Sequence, residues 1–144
     1  MRVLFFSIVL LCSKLSLASG LMLAEEIKLQ SNSLGEERNL LIKLPKKYHN
    51  EENSYPVLYV LHGQWDMLST LSTLDLLEDQ IPNFIVVGIE SRGKELSPEN
   101  GKTTPFANFL EKEVVPYVNE NYRGATYSIL SGHSNSGRFV LDYW

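Results

Sequence analysis

Three short runs of mainly apolar residues constrain the fold of this chain more than any other feature. They are Val57–Leu61, Phe84–Ile89 and Tyr127–Leu130, and each has the length of a strand. A continuous apolar run of this length is typical of a strand buried on both faces of a parallel sheet. Two segments with apolar residues at near-helical spacing, Met67–Gln80 and Phe106–Asn119, separate the runs. This alternation predicts an α/β fold built on a parallel sheet.

Two segments of alternating character precede these runs. Glu25–Gln30 and Arg38–Leu44 carry apolar side chains at every second position, and residues 31–35 between them have the composition of a turn. We therefore expect an antiparallel hairpin before the parallel strands. In the second helical segment, Pro116 is expected to kink the helix or to lie near its end.

Composition excludes several classes of protein. Hydrophobic residues make up 44% of the chain and charged residues 21%, which is the composition of a globular domain and not of a disordered chain. The net charge of −4, with no basic cluster, argues against a nucleic-acid surface. Cys12 is the single cysteine, and the histidines His49, His62 and His133 are widely spaced, so we predict no disulfide, no metal site and no cofactor.

The first 18 residues have the pattern of a secretory signal peptide. The apolar run Val3–Leu11 is too short to span a membrane, and Ser16 and Ala18 provide the small residues of a cleavage site. A buried N-terminal helix or strand is the alternative. Cleavage after Ala18 would remove Arg2 and Lys14 and change the net charge from −4 to −6. We expect an exported protein, periplasmic or extracellular, whose mature part has no further apolar stretch long enough to cross a membrane.

The third apolar run leads directly into a turn that suits a catalytic serine. Gly132, Ser134 and Ser136 follow the strand, and an apolar segment compatible with a helix comes next. A strand, a sharp turn and a helix start are the context of a nucleophile elbow, in which the serine hydroxyl projects from the sheet. Small residues are needed two positions before and after the serine. The helix start would place the Asn135 N–H beside a developing oxyanion. The alternative is that Ser134 only caps the helix.

The end of the first apolar run offers a second oxyanion donor. Gly63 permits close approach of the backbone, and we predict that the Gln64 N–H is the donor, although an ordinary turn at the end of a strand is the alternative. His62 precedes the serine, whereas the base follows it in this type of site, so we interpret His62 as structural. We expect His133 to pack away from the oxyanion and His49 to be solvated.

Taken together, these segments resemble the esterase family of α/β-hydrolases that contains enterochelin (siderophore) esterases and S-formylglutathione hydrolases, most of all its siderophore-esterase branch. The matching stretches are Leu34–Arg38 with Leu44-Pro45, Tyr55–Leu61, Ile85–Ile89, Phe109–Tyr117 with Asn121–Arg123, and the turn around Ser134. The resemblance implies a serine hydrolase that cleaves a small-molecule ester through an acyl-enzyme. The chain departs from the family at Ser136, where glycine is usual, which puts the geometry of the turn in question.

One loop bears on the substrate. Arg92 and the residues up to Pro98 are similar to the Arg-x-Arg-Asp-Leu-Thr-Pro loop of this family, which lies at the mouth of the site. By resemblance, Arg92 would hold an anionic or catecholate-type substrate. The alternative is a loop arginine paired with Glu90 or Glu95.

Residues expected after the elbow are not found in this sequence. No histidine follows Ser134, and Asp142 lies where a charge on a helix surface is expected. The triad acid and base are therefore not in this chain, and we interpret residues 19–144 as the N-terminal part of an α/β-hydrolase domain with little or no activity alone. Tyr127–Leu130 would form an apolar sheet edge. An acyltransferase on the same scaffold and a non-catalytic binding protein are the alternative functions.

Overall fold

A computed structural model describes residues 22–97 and 105–143. Within these residues the strands are β1 (Glu25–Ser31), β2 (Glu36–Lys43), β3 (Tyr55–Leu61), β4 (Ile85–Ile89) and β5 (Gly124–Ser131). The helices are α1 (Gly63–Leu76), α2 (Pro105–Phe109), α3 (Val115–Asn121) and α4 (Asn135–Tyr143), with a π-helical turn over Leu110–Val114 that joins α2 to α3. The predicted signal peptide, residues 1–18, lies outside the described residues.

The described strands form one mixed sheet in the order β1-β2-β4-β3-β5. β1 and β2 are an antiparallel hairpin, and β2 pairs antiparallel with β4. β3 lies between β4 and β5 and is parallel to both, so that Leu58 has Val86 on one side and Ile129 on the other. The predicted hairpin and parallel sheet are both confirmed. Because β3, β4 and β5 run in the same direction, their carboxyl ends share one edge of the sheet.

The larger hydrophobic core lies on the sheet face that is covered by α2, α3 and α4. Alternate residues of the central strands, among them Val57, Tyr59 and Leu61, point into this core. The helices contribute the fully or almost fully buried side chains Phe106, Phe109, Val114, Val118 and Phe139. Burial of this apolar surface is the main favourable term in folding. Desolvation in this core also raises the pKa of Tyr59 to about 12.

The opposite face is covered by α1 and has a smaller core. Leu58, Val60 and Val86 pack there against Met67 of α1. The helix begins at Gly63, four residues before the predicted start at Met67. The prediction missed the first turn of α1 because this turn does not take part in the apolar repeat. Its one large apolar residue, Trp65, is 69% exposed.

The helical segment after residue 104 contains the π turn, which ends at Val114, two residues before Pro116. Proline has no N–H, so the α-helical hydrogen bond to the carbonyl of Lys112 cannot form, and the turn widens. The helix continues to Asn121, so Pro116 alters the helix without ending it. Glu113 lies in this turn, and its Oε1 accepts hydrogen bonds from the Ser33 N–H at 2.8 Å and the Ser33 hydroxyl at 2.6 Å. The β1–β2 turn is therefore attached to the π turn.

In the part of the chain that the structure describes, no helix combines the length and the apolar character needed to span a membrane.

Candidate active site

Ser134 lies at the apex of a turn between β5 and α4. Its φ is 57°, in the left-handed region that non-glycine residues rarely adopt, and its side chain is exposed. A capping residue usually has an extended backbone instead. The turn is tight, because a Cβ built on Gly132 would lie 2.5 Å from the carbonyl carbon and oxygen of Ser136. Glycine is therefore required at position 132, as a nucleophile elbow demands.

Ser136 occupies the position where the family usually has glycine, and the turn accommodates it. Its side chain is completely buried. The hydroxyl donates to the carbonyl of His133 and accepts from the His133 N–H, both at 2.8 Å. These two hydrogen bonds close the turn from within, so the serine satisfies its own polar group and that of the backbone.

A second turn with the same backbone feature connects β3 to α1. We call residues 62–64 the oxyanion turn, after the oxyanion donor that the sequence predicts at Gln64. His62 has φ 56° and ψ 37°, also left-handed, and α1 begins at the next residue. A Cβ on Gly63 would lie 2.5 Å from the carbonyl carbon of Gly88 in β4, so only glycine fits there. Gln64 lies in the first turn of α1, where N–H groups have no acceptor inside the helix.

The two turns leave from neighbouring strands. Val60 of β3 is paired with Ser131 of β5, close to the carboxyl end of each strand. The first turns of α1 and α4 therefore start beside each other at the same edge of the sheet. This is the edge at which parallel α/β sheets bind ligands. Asn135 and Gln64, the two predicted donors, are brought to this edge together.

The segment after β4 joins this site. We call residues 90–97 the β4 loop. Its Ser91 is completely buried and contacts the oxyanion turn, and a Cβ on Gly93 would lie 3.8 Å from Asn135 Nδ2. Sequence reasoning did not identify Ser91, and its single sequence signal is its place, as a small polar residue just past a buried strand.

Arg92 lies in the β4 loop and is 58% exposed at its side chain. Its guanidinium pairs with Glu36 at 3.2 Å and more distantly with Glu90 at 3.9 Å. The Glu95 carboxylate accepts the Arg92 backbone N–H at 2.9 Å and is not an ion-pair partner of its side chain. The pairing with Glu90 was expected as the alternative to substrate binding, whereas the pairing with Glu36 was not.

A buried arginine anchors the β4 loop, and sequence reasoning gave it no role. The Arg38 side chain is 0% exposed. It donates to Glu36 Oε1 at 2.8 and 2.6 Å, to the Glu90 carbonyl at 3.2 Å and to both carboxylate oxygens of Glu95. Burial alone would lower the pKa of Arg38, but the hydrogen bonds to Glu95 and Glu36 raise it. The hydrogen bonds from Arg38 likewise lower the pKa of Glu36.

Among the described residues, no hydrogen bond joins the Ser134 side chain to a histidine or to Asp142. His62 is buried, with its ring 5.2 Å from that of Trp65, and its Nε2 has no hydrogen-bond partner among the described residues. The expectation that His133 packs is wrong, because its side chain is exposed while its backbone is bound by Ser136. His49 is exposed, as expected. Asp142 pairs with Arg138 at 3.4 Å on the surface of α4, which confirms it as a helix-surface charge.

A cavity of about 340 Å³ lies at the other edge of the sheet. It is lined by Leu44, which follows β2, by Leu74 in the last turn of α1, and by Phe84, which precedes β4. It is therefore separate from the edge that carries Ser134.

Comparison with known proteins agrees with this geometry. Residues 31–143 match the model of the family described as "Putative esterase". An IroE-like serine hydrolase from Shewanella oneidensis has a similar structure, with a TM-score of 0.76 and 27% identity over 83% of this chain and 45% of that one. A curated protein of Sulfolobus acidocaldarius is 28% identical over 69% of this chain and 38% of its own length. The chain thus spans less than half the length of these two relatives.

Two further structures share the fold. A siderophore hydrolase, EstB from Aspergillus nidulans, matches with a TM-score of 0.69 and 21% identity, over 85% of this chain and 52% of that one. The enterochelin esterase of Shigella flexneri matches with a TM-score of 0.66 and 20% identity, over 83% of this chain and 32% of that one. The described strands and helices are those of the α/β-hydrolase fold up to the nucleophile elbow, and the chain belongs to this esterase family.

Proposed function

We propose that this chain carries the nucleophile and the oxyanion-binding half of a serine esterase. The observation that supports it most is the conformation of Ser134, which is left-handed, exposed and placed between a buried strand and a helix start. A left-handed backbone at a non-glycine residue costs roughly 1–3 kcal/mol and is retained mainly where function needs it. Family membership supports ester hydrolysis as the reaction type.

In the proposed reaction, Ser134 Oγ attacks the carbonyl carbon of the ester while a general base takes its proton. The tetrahedral intermediate then collapses, the C–O bond to the alcohol breaks, and the proton passes to the departing alcohol. Water attacks the resulting acyl-serine and releases the acid. We assign the N–H groups of Asn135 and Gln64 to the oxyanion, where each donor is typically worth about 3–4 kcal/mol of transition-state stabilisation.

We propose a small-molecule ester as substrate. The names of the similar structures mention siderophore and enterochelin hydrolysis, which makes an anionic or catecholate ester a reasonable class to test. Arg92 would supply positive charge to such a substrate at the rim of the site. It would have to exchange its pairing with Glu36 for the substrate, a change that an exposed pair permits at low cost.

Turnover by these 144 residues should be slow. General-base catalysis contributes typically about 100- to 10,000-fold, and no histidine follows His133 in this sequence. His62 packs against Trp65, and no hydrogen bond joins its Nε2 to Ser134 or to any other described residue. An external base can replace a missing one in part, so added imidazole should speed acylation of Ser134.

The test is acylation by p-nitrophenyl butyrate, with and without imidazole, followed by intact-mass measurement and peptide mapping. We expect one butyryl group on Ser134, formed faster with imidazole, and none in Ser134→Ala. Ser128→Ala, which removes an exposed serine of β5, is the control and should be acylated normally. Absence of an adduct on Ser134 under all conditions would contradict the esterase proposal and favour a non-catalytic binding protein.

We also propose that the protein is exported, on the strength of the pattern in residues 1–18. Cell fractionation and N-terminal sequencing test it. The expected mature N-terminus is Ser19, and recovery of cytoplasmic protein that begins at Met1 would contradict export.

A further inference from the structure

The β4 loop is bound to the oxyanion turn by several hydrogen bonds, all of which involve Ser91. The hydroxyl of the buried Ser91 accepts the His62 N–H at 2.9 Å. The side-chain amide of Gln64 donates from Nε2 to the Ser91 carbonyl at 2.7 Å, and its Oε1 accepts the Ser91 N–H at 3.3 Å. Three hydrogen bonds thus attach both ends of the oxyanion turn to one residue.

Ser91 is itself held in place by the rest of the loop. Glu95 accepts the Arg92 N–H at 2.9 Å, and the Glu95 N–H donates to the Arg92 carbonyl at 3.0 Å, so the loop is closed on itself. Arg38 binds the Glu95 carboxylate and the Glu90 carbonyl from below. Leu96 is 1% exposed and anchors the far end in the core. A shift of Ser91 would therefore disturb the ion pair between the buried Arg38 and the partly buried Glu95, which is costly.

The same loop also touches the other turn of the site. A Cβ built on Gly93 would lie 3.8 Å from Asn135 Nδ2, so this part of the loop lies close to the Asn135 side chain. The β4 loop is therefore bound to the first turn of α1 and lies close to the first turn of α4, the two helices that supply the proposed oxyanion donors. Donors of this kind are effective when they are fixed in advance of the reaction, because no reorganisation is then needed.

We propose that Ser91 is a positioning residue, which holds the oxyanion turn so that the Gln64 N–H is fixed for oxyanion binding. This inference rests on the proposed function. In this role Ser91 acts through the backbone of His62 and the side chain of Gln64 and not through the substrate. Displacement of a reacting or stabilising group by about 1 Å can cost on the order of 100-fold in rate, so loss of this support should be measurable.

The first arm of the test does not depend on activity. Amide hydrogen exchange of residues 62–66 is measured by mass spectrometry in the full chain and in Ser91→Ala. We expect exchange at the His62 amide and its neighbours to rise about 10-fold or more, with β3 unchanged. Ser97→Ala, at an exposed serine of the same loop, should exchange like wild type. Unchanged exchange in Ser91→Ala would overturn the proposal.

The second arm measures the rate of Ser134 acylation by p-nitrophenyl butyrate in the presence of imidazole. Ser91→Ala should slow it about 10-fold, and Ser97→Ala should not. Val118→Ala is the control for a general loss of stability, because it removes a buried core contact in α3. Its melting temperature should fall while its acylation rate stays near that of wild type. Equal rates in wild type and Ser91→Ala would refute positioning.

A second variant covers the case in which Ser91→Ala does not fold. Gln64→Met keeps the length of an exposed side chain and removes both of its hydrogen bonds to Ser91, while residue 64 still has a backbone N–H that can act as a donor. It should raise exchange and slow acylation in the same way. If wild type itself is never acylated at Ser134, the esterase proposal fails, and the exchange arm still decides whether Ser91 holds the turn.

Discussion

At the scale of single residues, Gly132 is the position on which the elbow most depends. Any Cβ there would overlap backbone atoms of Ser136 and Gly137, and backbone cannot move aside as a flexible side chain can. By contrast, a Cβ on Gly93 would meet its nearest neighbour at 3.8 Å, which is ordinary contact. The two glycines therefore differ in what they tolerate.

Gly132→Ala should therefore destabilise the chain by about 3 kcal/mol through forced overlap, while Gly93→Ala should change stability by less than about 0.5 kcal/mol. Urea denaturation followed by tryptophan fluorescence measures both. Similar midpoints for the two variants would show that the turn relaxes around a methyl group and that the close packing is not required.

Ser136 shows how a residue outside the family pattern can fit the same turn. Ser136→Ala should cost about 1–2 kcal/mol, because it removes two hydrogen bonds to the His133 backbone. Ser136→Gly introduces the family residue and should be no more stable than Ser136→Ala, because glycine also gains backbone freedom in the unfolded chain. Thermal unfolding of both is compared with Ser128→Ala at an exposed site. A Ser136→Gly protein more stable than wild type would contradict this account.

The residues of the site divide by how local their signal is. Gly132, Ser134 and Ser136 are recognisable from sequence, because one short segment contains the strand, turn and helix start. The role of Ser91 depends on Gln64, which is 27 residues away, and that of Arg38 on Glu95, 57 residues away. The local sequence around Ser91 or Arg38 does not indicate such a distant partner. The roles of both residues were therefore found only in the folded chain.

At the scale of elements, the hairpin of β1 and β2 is held to the helical segment by Glu113. Burial alone would raise the pKa of this carboxyl, but the hydrogen bonds from Ser33 and its neighbours lower it below the usual value of 4.5. The π turn before Pro116 sets where Glu113 lies on the helix. Periodicity predicted a helix here, and the position of Pro116 predicted a distortion of it. Neither indicated that the Glu113 carboxylate would bind the β1–β2 turn.

Because the pKa of Glu113 is lowered on folding, its ionised form stabilises the native state. This contribution is complete above about pH 4.5 and is lost as pH falls through the lowered native value. Glu113→Gln should reduce stability by about 1–2 kcal/mol at pH 7, and the difference from wild type should shrink in acid. Thermal unfolding between pH 7 and pH 3 measures it, with Glu120→Gln, exposed on α3, as the control. A difference that stays constant with pH would argue against an ionised anchor.

At the scale of the whole molecule, the described sheet has an outer strand, β5, with exposed apolar side chains. β1 and β5 are the outer strands of the described sheet, and β5 carries Tyr127 and Ile129 at 52% and 41% exposure. Ile129 neighbours Leu58 on the face that α1 covers only in part. A strand edge with unpaired backbone groups and apolar side chains is a template for association with another chain. This edge was expected from the apolar character of Tyr127–Leu130, and the structure confirms it.

The isolated chain should therefore self-associate through β5. Ile129→Lys places a charge on this edge and should weaken association roughly 10- to 100-fold, the effect of losing burial of one aliphatic side chain at about 1.5–3 kcal/mol. Sedimentation velocity over a range of concentrations measures it. Leu76→Lys removes an apolar side chain that is 83% exposed at the end of α1, far from the edge, and should associate as wild type does. If both variants weaken association equally, general surface hydrophobicity and not the β5 edge drives it. If neither does, the edge is already protected in solution, and the exposed face of Tyr127 and Ile129 is not a contact surface.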